Sequence, residues 1–298
     1  MKTCSRLMRF FNLIGQEKIA WSLRRLHCPV DRAALVLEVG SGGNPYPRAN
    51  VLLDAYQETR ERHWEPLVHD RPTVLAFGEK LPFRDKAFDF VIAAHVLEHT
   101  PDPQKFLAEL QRVAYAGYIE TPDAFMERIN PYKDHRLEVT LRDDGLVIRK
   151  KLAWVVDAEL VELYEQRAKL IVSQKLIPEH PADFHIRYYW KDKINFLVIN
   201  SAVDSSWNPV DIQRPNELVD GIKQTVRTGL LTFIRLIFSQ SRRNKHIDLL
   251  ELLLCPKCRG EKLVRQKDQI VCEGCKTSYG VKQNVFVMQP REPGMLEQ

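Results

Sequence analysis

Four of the six cysteines form two C-x-x-C pairs near the C-terminal end of the sequence. Cys255 and Cys258 make the first pair, and Cys272 and Cys275 make the second. Four thiolates at this spacing can meet at one tetrahedral zinc ion, and such a site leaves no coordination position for a substrate. The pattern therefore predicts a structural Zn2+ site held by these four cysteines.

A second pattern with chemical potential is VLEVGSGG, residues 36–43. Its branched apolar side chains predict a strand that is covered on both faces. Gly40, Gly42 and Gly43 would then let the backbone turn sharply and approach a ligand closely. An ordinary strand-to-loop turn explains the same short pattern equally well, so the neighbouring segments decide between the two interpretations.

Three later segments bear on this choice. An apolar run ends at Asp54, the segment LPF spans residues 81–83, and FDFVIAAHVLEH is followed by PDP at the start of a predicted helix. Together with E-x-G-x-G-G, they resemble the motifs of class I S-adenosylmethionine-dependent methyltransferases, in their small-molecule branch. The resemblance implies an α/β fold with a Rossmann-like, doubly wound, mostly parallel sheet, an antiparallel edge, and a small C-terminal β-rich zinc ribbon.

The resemblance also implies which residues bind S-adenosyl-L-methionine. Asp54 would accept hydrogen bonds from both ribose hydroxyls. Family members commonly carry an Asp two residues ahead of the Glu in the next loop, where this chain has Phe77. The adenine would then be held by stacking on Phe77, by backbone amides, or by Glu79. The full set of predicted cofactor-binding residues is Glu38, Gly40, Gly42, Gly43, Asp54, Phe77, Glu79 and His95.

The first crossover departs from the family pattern. Parallel strands are usually joined by a connection of about a dozen residues or more that contains a helix, whereas residues 40–51 lie at the lower limit of that length and contain Pro45 and Pro47. The sequence therefore predicts that the first helix is truncated or replaced by a loop.

His95 and His99, at the end of the fourth predicted strand, are the candidate catalytic residues. Histidine has an ordinary pKa of about 6.5 and suits a general base for an oxygen acceptor; a structural hydrogen bond at the strand end is the alternative. The motif that holds an amino group in amino-directed methyltransferases is replaced here by AAHVLEH. A hydroxyl or carbon of a small molecule, glycan or lipid is therefore the expected methyl acceptor.

The sequence around the cysteines, LLLCPKC and VKQNVFVM, is similar to the zinc-ribbon activator subunit of tRNA and protein methyltransferases. That resemblance implies a structural module that stabilises a methyltransferase and offers a surface for a protein partner. It also keeps open an enzyme with a built-in activator that acts on tRNA or protein. A non-catalytic scaffold with a decayed cofactor site is a further alternative.

Composition limits the classes of protein to which the chain can belong. The chain has 298 residues, 44% of them hydrophobic, and a net charge of +5, which allows a nucleic-acid partner without favouring one. No apolar run reaches the about 20 residues that span a bilayer. The first residues lack the pattern of a secretory signal. We expect a cytoplasmic protein in which Cys4 and Cys28 are free thiols.

Four ranges organise the chain in this interpretation: an N-terminal helical segment (1–30), the methyltransferase domain (31–200), a linker with a basic amphipathic helix (201–250), and the zinc ribbon (251–290). Residues 222–246 carry basic and apolar residues but no acidic ones. They would either pack on a domain or make a peripheral membrane contact. Other predicted elements are helices at 7–26, 58–68 and 157–170, a hairpin turning at Asp144–Gly145, and an antiparallel pair of 185–190 with 194–199.

Overall fold

The computed structural model describes residues 3–62, 64–209 and 221–289, and of residues 221–228 it describes the backbone alone. The α-helices in this part of the chain, α1 to α10, are Arg6–Leu13, Glu17–Leu23, Pro103–Val113, Ala124–Ile129, Ala158–Leu163, Lys169–Ile171, Ile177–Glu179, Gly221–Phe238, Ser241–Asn244 and Leu249–Leu252. The β-strands, β1 to β13, are Val36–Val39, Val51–Asp54, Thr73–Leu75, Phe88–Ala94, Ala114–Pro122, Leu137–Arg142, Gly145–Lys150, His185–Lys191, Phe196–Val198, Leu263–Gln266, Gln269–Cys272, Ser278–Lys282 and Val285–Val287.

Two compact units interleave along the chain. The first comprises Met1–Asp31, Ala93–Gln111 and Ala116–Asp211, and the second comprises Arg32–Ile92, Arg112–Tyr115 and Ile212–Gln298. These units group residues by their contacts, so the four ranges expected from the sequence stay predictions.

The second unit contains the parallel part of the sheet. Its strand order is β10-β11-β12-β13-β3-β2-β1-β4. The pairs β1–β2, β2–β3 and β3–β13 are parallel, whereas β10 to β13 form an antiparallel meander. Every residue of β1, β2 and β3 is buried, as expected for parallel strands covered on both faces.

A loop of residues 40–50, without a helix, connects β1 to β2. The buried Arg71 guanidinium donates to the carbonyl oxygens of Tyr46, Pro47 and Ala49, the last at 2.8 Å. The buried Glu38 carboxylate accepts the Tyr46 N–H at 2.8 Å. Two buried side chains therefore satisfy backbone groups that a helix would have satisfied internally, and the prediction of a replaced first helix is confirmed.

The first unit contains the paired strands β5 and β8 and a separate sheet β6-β7-β9. β5 and β8 are antiparallel over seven residue pairs, from Ala116↔Lys191 to Pro122↔His185. The predicted hairpin is present as β6 and β7. Its turn residues are Asp143 and Asp144, both at positive φ, one position earlier than predicted. Two residues at positive φ are typical of the turn that matches strand twist in tight hairpins.

The predicted antiparallel pair at the sheet edge is wrong. β9 pairs in parallel with β7, with Leu146 opposite Phe196, and only the bridge Lys191↔Lys193 follows β8. The chain turns at Asp192, which has a φ of +63°. The strand that begins at Phe196 therefore extends the hairpin sheet, in which Leu146 and Ile148 are fully buried.

The helix predictions are corrected in two places. Among the described residues of segment 58–68, the helical structure is limited to the 3-10 turn Arg60–Arg62, because Trp64 has a φ of +61° and Pro66 follows it. The segment 7–26 is divided into α1 and α2 at Gly15, whose φ is +72°. The predicted helix at 157–170 begins after the N-cap Asp157 and continues through helical turns to α7.

The predicted linker and basic helix are described only in part. Residues 210–216 lie outside the described residues, as do the side chains of Ile222 and Val226. α8 ends at Phe238, and α9 begins after Gln240, so the backbone is not one continuous helix through residue 246. In the parts of the chain that the structure describes, no helix is long and apolar enough to cross a membrane.

Candidate functional site

The glycine turn after β1 carries an unsatisfied polar group. Gly40 and Gly42 have φ values of +72° and +56°, which favour glycine. The N–H groups of Gly40 and Ser41 donate to the Leu53 carbonyl at 2.8 and 3.1 Å, which ties the turn to β2. The Ser41 hydroxyl is buried and has no hydrogen-bond partner among the described residues. A bound ligand would satisfy such a group.

Asp54, the last residue of β2, is buried and already occupied. Its Oδ2 accepts the Gly42 N–H at 2.9 Å, and its Oδ1 accepts the Tyr56 N–H at 3.1 Å and Nη1 of Arg62 at 3.2 Å. The Arg62 Nε also donates to the Glu65 carbonyl at 2.7 Å. A carboxylate offers about four lone-pair sites. Only one of these, on Oδ2, is left for a ligand while Arg62 stays in place.

The other predicted cofactor residues of the second unit lie along the ends of the same strands. Phe77 follows β3, and its ring makes an edge contact with Tyr56 at a centroid distance of 5.9 Å. The Ala76 N–H donates to the Asp54 carbonyl at 2.9 Å and ties the two strand ends together. Glu79 lies in the 3-10 turn after Phe77. Two aromatic rings beside a ribose-binding candidate suit the stacking of a planar base.

Gly42 and Gly43 face the chain itself. A Cβ on Gly42 would lie 3.2 Å from Cδ of Arg62, and one on Gly43 would lie 3.0 Å from Oε2 of Glu65. The Val68 N–H donates to the Gly42 carbonyl at 3.0 Å. Arg62, Glu65 and Val68 therefore pack directly on the glycine turn.

The four predicted zinc ligands come together. All four sulfur atoms lie within 4.8 Å of one another, with Cys255 and Cys275 3.6 Å apart and Cys258 and Cys272 3.5 Å apart. Ligands about 2.3 Å from a tetrahedral zinc are separated by similar distances. The Tyr279 hydroxyl, 3.2 Å from Cys255 Sγ, is placed to donate to a thiolate. The donor set and its spacing fit a structural zinc ion.

His95, directly after β4, is flanked by two carboxylates in the first unit. Its Nε2 lies 3.2 Å from Oε1 of Glu120, and its Nδ1 lies 3.4 Å from Oε1 of Glu98. Its backbone has a φ of +57°, and its N–H donates to the Glu120 carbonyl at 2.8 Å. Burial works against the charged form, but the two carboxylates outweigh it and raise the pKa of His95 to about 9.

Glu120 lies inside β5 and contacts Arg24, Tyr118 and His95, and these four residues form the Glu120 network. Glu120 was not among the site residues predicted from the sequence. Arg24 holds it through two hydrogen bonds of 2.7 Å, Tyr118 donates its hydroxyl to it, and its side chain is fully buried. Burial would raise its pKa, but Arg24 and His95 hold that pKa well below its ordinary value. The sequence does place an acidic residue inside the apolar run GYIETP. Because a buried carboxylate needs a cationic partner, this position could have been predicted to form an ion pair.

His99 lies in the 3-10 turn Leu97–His99. Its Nδ1 is 3.2 Å from the carbonyl oxygen of Asp134, and its ring packs at right angles to that of His135. Because a carbonyl only accepts hydrogen bonds, the proton of a neutral His99 sits on Nδ1 and the lone pair on Nε2. This lone pair can accept a proton or bind a metal ion.

Within the second unit, the cysteine module is joined by backbone hydrogen bonds to two earlier segments of the chain. Val285 and Val287 of β13 are in register with Thr73 and Leu75 of β3. At the other segment, the Arg84 N–H donates to the Leu252 carbonyl at 2.9 Å, and the Leu254 N–H donates to the Pro82 carbonyl at 2.8 Å. The ribbon thus packs on strands of its own chain.

Two protein-family models match separate parts of the chain. Residues 37–117 match the family model described as a methyltransferase domain. Residues 246–284 match the model described as a Trm112p-like protein. The chain therefore carries a methyltransferase domain followed by a C-terminal Trm112p-like domain, and the predicted Rossmann-like α/β class with a β-rich cysteine module is confirmed.

Several solved structures are similar to parts of the chain. An S-adenosylmethionine-dependent methyltransferase from Thermotoga maritima is 16% identical over 53% of this chain and 73% of its own, with a TM-score of 0.31. The complex of the Trm112 methyltransferase activator with a methyltransferase from Haloferax volcanii matches at 16% identity, over 45% of this chain and 77% of the other, with a TM-score of 0.28. A methyltransferase from Bacillus halodurans matches at 17% identity, over 46% and 63%, with a TM-score of 0.28. No curated protein matches the chain.

Proposed function

We propose that the protein is an S-adenosylmethionine-dependent methyltransferase that acts on a hydroxyl or carbon of a small molecule, glycan or lipid. The methyltransferase-domain match over residues 37–117 is the observation that carries this proposal. That range contains the glycine turn, the orphaned Ser41 hydroxyl, Asp54 and Phe77, which together fit the cofactor. When bound, S-adenosylmethionine supplies a methyl group that its sulfonium already activates. The protein must mainly orient the acceptor and exclude water.

Arg62 sets a condition on cofactor binding. With the Gly42 and Tyr56 N–H groups retained, each oxygen of Asp54 has one further lone-pair site, and Arg62 takes the one on Oδ1. Two ribose hydroxyls need both of these sites. The Arg62 guanidinium must therefore leave Asp54 when the ribose binds.

The two candidate catalytic histidines suit different roles. His95 carries a proton at neutral pH, because Glu98 and Glu120 stabilise its charge. It can donate a hydrogen bond to an acceptor oxygen, but it is a poor general base at that pH. His99 has a lone pair on Nε2 when neutral, so it is better suited to help remove a proton from a hydroxyl.

The Trm112p-like domain supports the cofactor turn in this proposal. Val285 packs with Leu67 and Leu75 in one buried cluster. The residue after Leu67 donates its N–H to the Gly42 carbonyl at 3.0 Å. A zinc-folded module would therefore hold the segment that packs on the glycine turn, as a permanent intrachain counterpart of a separate activator subunit.

The Trm112p-like match also keeps tRNA or protein as a second candidate acceptor. A tritiated-methyl assay on RNA, protein, lipid, glycan and small-molecule fractions of a cell extract would separate these acceptors. Label in the lipid, glycan or small-molecule fraction is the expected result, and label in RNA alone would replace the first candidate with the second.

A peripheral membrane contact through residues 222–246 is a further part of the proposal. Leu230, Phe233, Leu236 and Ile237 of α8 are each more than half exposed, and an exposed apolar face with cationic neighbours suits a membrane surface. Flotation with anionic liposomes tests this contact. Protein that stays in the bottom fraction excludes it.

Calorimetry with S-adenosylmethionine tests the proposed cofactor directly. The wild-type chain and Glu58→Gln, which changes an exposed carboxylate, are expected to bind, whereas Asp54→Asn should lose most of the affinity. A wild-type chain that binds no cofactor would favour the non-catalytic scaffold.

A further inference from the structure

A cluster of three metal-ligating side chains lies in the first unit, apart from the four cysteines. One ligand atom each of Glu98, His99 and His135 falls within 4.8 Å of the other two. Two atoms that each bind a metal ion at about 2.1 Å are at most about 4.2 Å apart. Three atoms that bind one tetrahedral ion at this distance are about 3.4 Å from one another, so a side-chain movement of about an ångström would bring all three onto one ion.

The backbone holds these residues together. Glu98 and His99 lie in the turn after β4, and His135 lies in the loop before β6. The Arg136 N–H donates to the Glu98 carbonyl at 2.7 Å, which fixes the loop against the turn. The rings of His99 and His135 are nearly perpendicular, with centroids 4.8 Å apart.

Both imidazoles are oriented through Nδ1. The Nδ1 of His99 faces the Asp134 carbonyl at 3.2 Å, and the Nδ1 of His135 lies 2.7 Å from Oε2 of Glu127. Lys151 balances the Glu127 charge, with its Nζ 2.5 Å from Oε1. Histidines that bind metals commonly donate their other ring N–H to a carboxylate or carbonyl, which fixes the tautomer and leaves Nε2 as the ligand.

The Glu98 carboxylate is buried, and its nearby charged partner, His95, approaches Oε1 and leaves Oε2 for another cation. The residue is 2% exposed, and neither of its oxygens accepts a hydrogen bond from the described residues. The nearest cation is the His95 imidazole, whose Nδ1 lies 3.4 Å from Oε1, outside hydrogen-bond geometry. A buried carboxylate is costly unless it is paired, hydrogen-bonded or bound to a metal.

We propose that Glu98, His99 and His135 form a binding site for a divalent first-row metal ion, separate from the cysteine site. Two imidazoles and one carboxylate leave coordination positions open, unlike four thiolates. The harder oxygen and nitrogen donors accept Mn2+, Fe2+, Co2+ or Zn2+, whereas thiolates select zinc. Glu127 and Asp134 act as positioning residues, since they orient the two imidazoles.

This site also bears on the methyl acceptor, and that consequence rests on the proposed function. A hydroxyl bound to a divalent ion loses its proton more readily. His99 would then bind the ion and would not act as a general base. The favoured acceptor becomes an oxygen that can itself ligate a metal.

Mn2+ is the probe that distinguishes this site from the cysteines. The full-length chain, with zinc retained on its thiolates, is titrated with Mn2+, and free Mn2+ is followed by its electron paramagnetic resonance signal. The wild type is expected to bind one Mn2+ per chain. Glu98→Gln, which keeps the side-chain shape, and His135→Asn should each weaken binding at least about tenfold.

Matched controls change the same residue types on the surface, namely Glu159→Gln and His246→Asn, and both should bind Mn2+ as the wild type does. Circular dichroism shows whether each variant is folded, and Mn2+ should raise the melting temperature of the wild type and the controls only. A folded wild type that takes up no ion besides the thiolate zinc overturns the site. Equal Mn2+ binding in the wild type and Glu98→Gln overturns it as well. Neither outcome depends on S-adenosylmethionine binding, which calorimetry measures separately.

Discussion

Arg62 and Asp54 form an ion pair at the end of β2, with 3.2 Å between Nη1 and Oδ1 and about nine-tenths of each side chain buried. The stem of Arg62 also lies beside Gly42, so the arginine touches both the glycine turn and the ribose-binding candidate. In the proposed function, this pair would make cofactor binding a competition between the Arg62 guanidinium and a ribose for the Asp54 carboxylate.

Replacement of Arg62 should therefore tighten cofactor binding. A hydrogen bond to a charged group contributes about 1.5–3 kcal/mol, and a gain of about 1.4 kcal/mol is tenfold in affinity. We expect Arg62→Gln to bind S-adenosylmethionine at least about tenfold more tightly in calorimetry. Lys80→Gln, an exposed change in the same unit, should bind as the wild type does. Weaker binding by Arg62→Gln would instead make the arginine part of the cofactor site.

The Glu120 network should be a large contributor to stability. Glu120→Gln keeps the shape but leaves Arg24 without its anion and the charged His95 with Glu98 alone, and breaking a buried pair costs about 3–5 kcal/mol. Urea unfolding should show a loss of this order, whereas the exposed Glu179→Gln should be close to neutral. A loss as small as that of the control would mean that water replaces the pair.

The free energy of unfolding should also depend on the ionisation of Glu120 at acidic pH. The pKa of Glu120 is lowered in the folded state by Arg24 and His95, so the stability it contributes is present above its ordinary pKa of 4.5. That contribution is lost as the pH falls from this value through the lowered folded pKa. Wild-type stability should therefore drop more steeply below pH 4.5 than that of Glu120→Gln, as measured by urea unfolding across this range. Parallel slopes would contradict the assignment.

Gly117 should be intolerant of any side chain. It lies opposite Trp190 in the β5–β8 pair, and a Cβ would come within 2.7 Å of three indole atoms. Overpacking of this kind costs roughly 1–3 kcal/mol, so Gly117→Ala should lower the melting temperature measurably. Gly280→Ala in β12, where a Cβ meets nothing within 4 Å, is the matched control. Equal melting temperatures would show that Trp190 moves aside without cost.

Zinc removal should weaken the cofactor site as well as the ribbon. Loss of the ion unfolds so small a module, which removes Val285 from its contact with Leu67 and loosens the segment that packs on Gly42. A chelator should lower both the melting temperature and the affinity for S-adenosylmethionine, and added zinc should restore them. Cys272→Ser should mimic chelation, and Cys4→Ser should not. Unchanged cofactor affinity after chelation would separate the module from the turn.

Features set by near neighbours were predictable from the sequence. Cysteine spacing predicts the thiolate cluster, the glycines after Val39 predict the turn, and the short connection to β2 predicts the missing helix. Each depends on residues within about twenty positions of one another, so backbone sterics and metal-ligand geometry restrict the possible local structures.

Features set by distant partners were not predictable. Arg24 pairs with Glu120, which lies 96 positions later in the sequence. β9 pairs with β7 instead of β8. The three proposed metal ligands come from the turn after β4 and from a later loop. Periodicity describes which face of an element is apolar, but it does not say which other element covers that face.

The pairing of β13 with β3 has a consequence for synthesis on the ribosome. β3 is made early, yet Val285–Val287, which covers its edge, is among the last residues described. Until then the nascent sheet presents unpaired backbone groups, a template for pairing with other chains. Chains that end before Val285 should therefore aggregate through the open edge of β3.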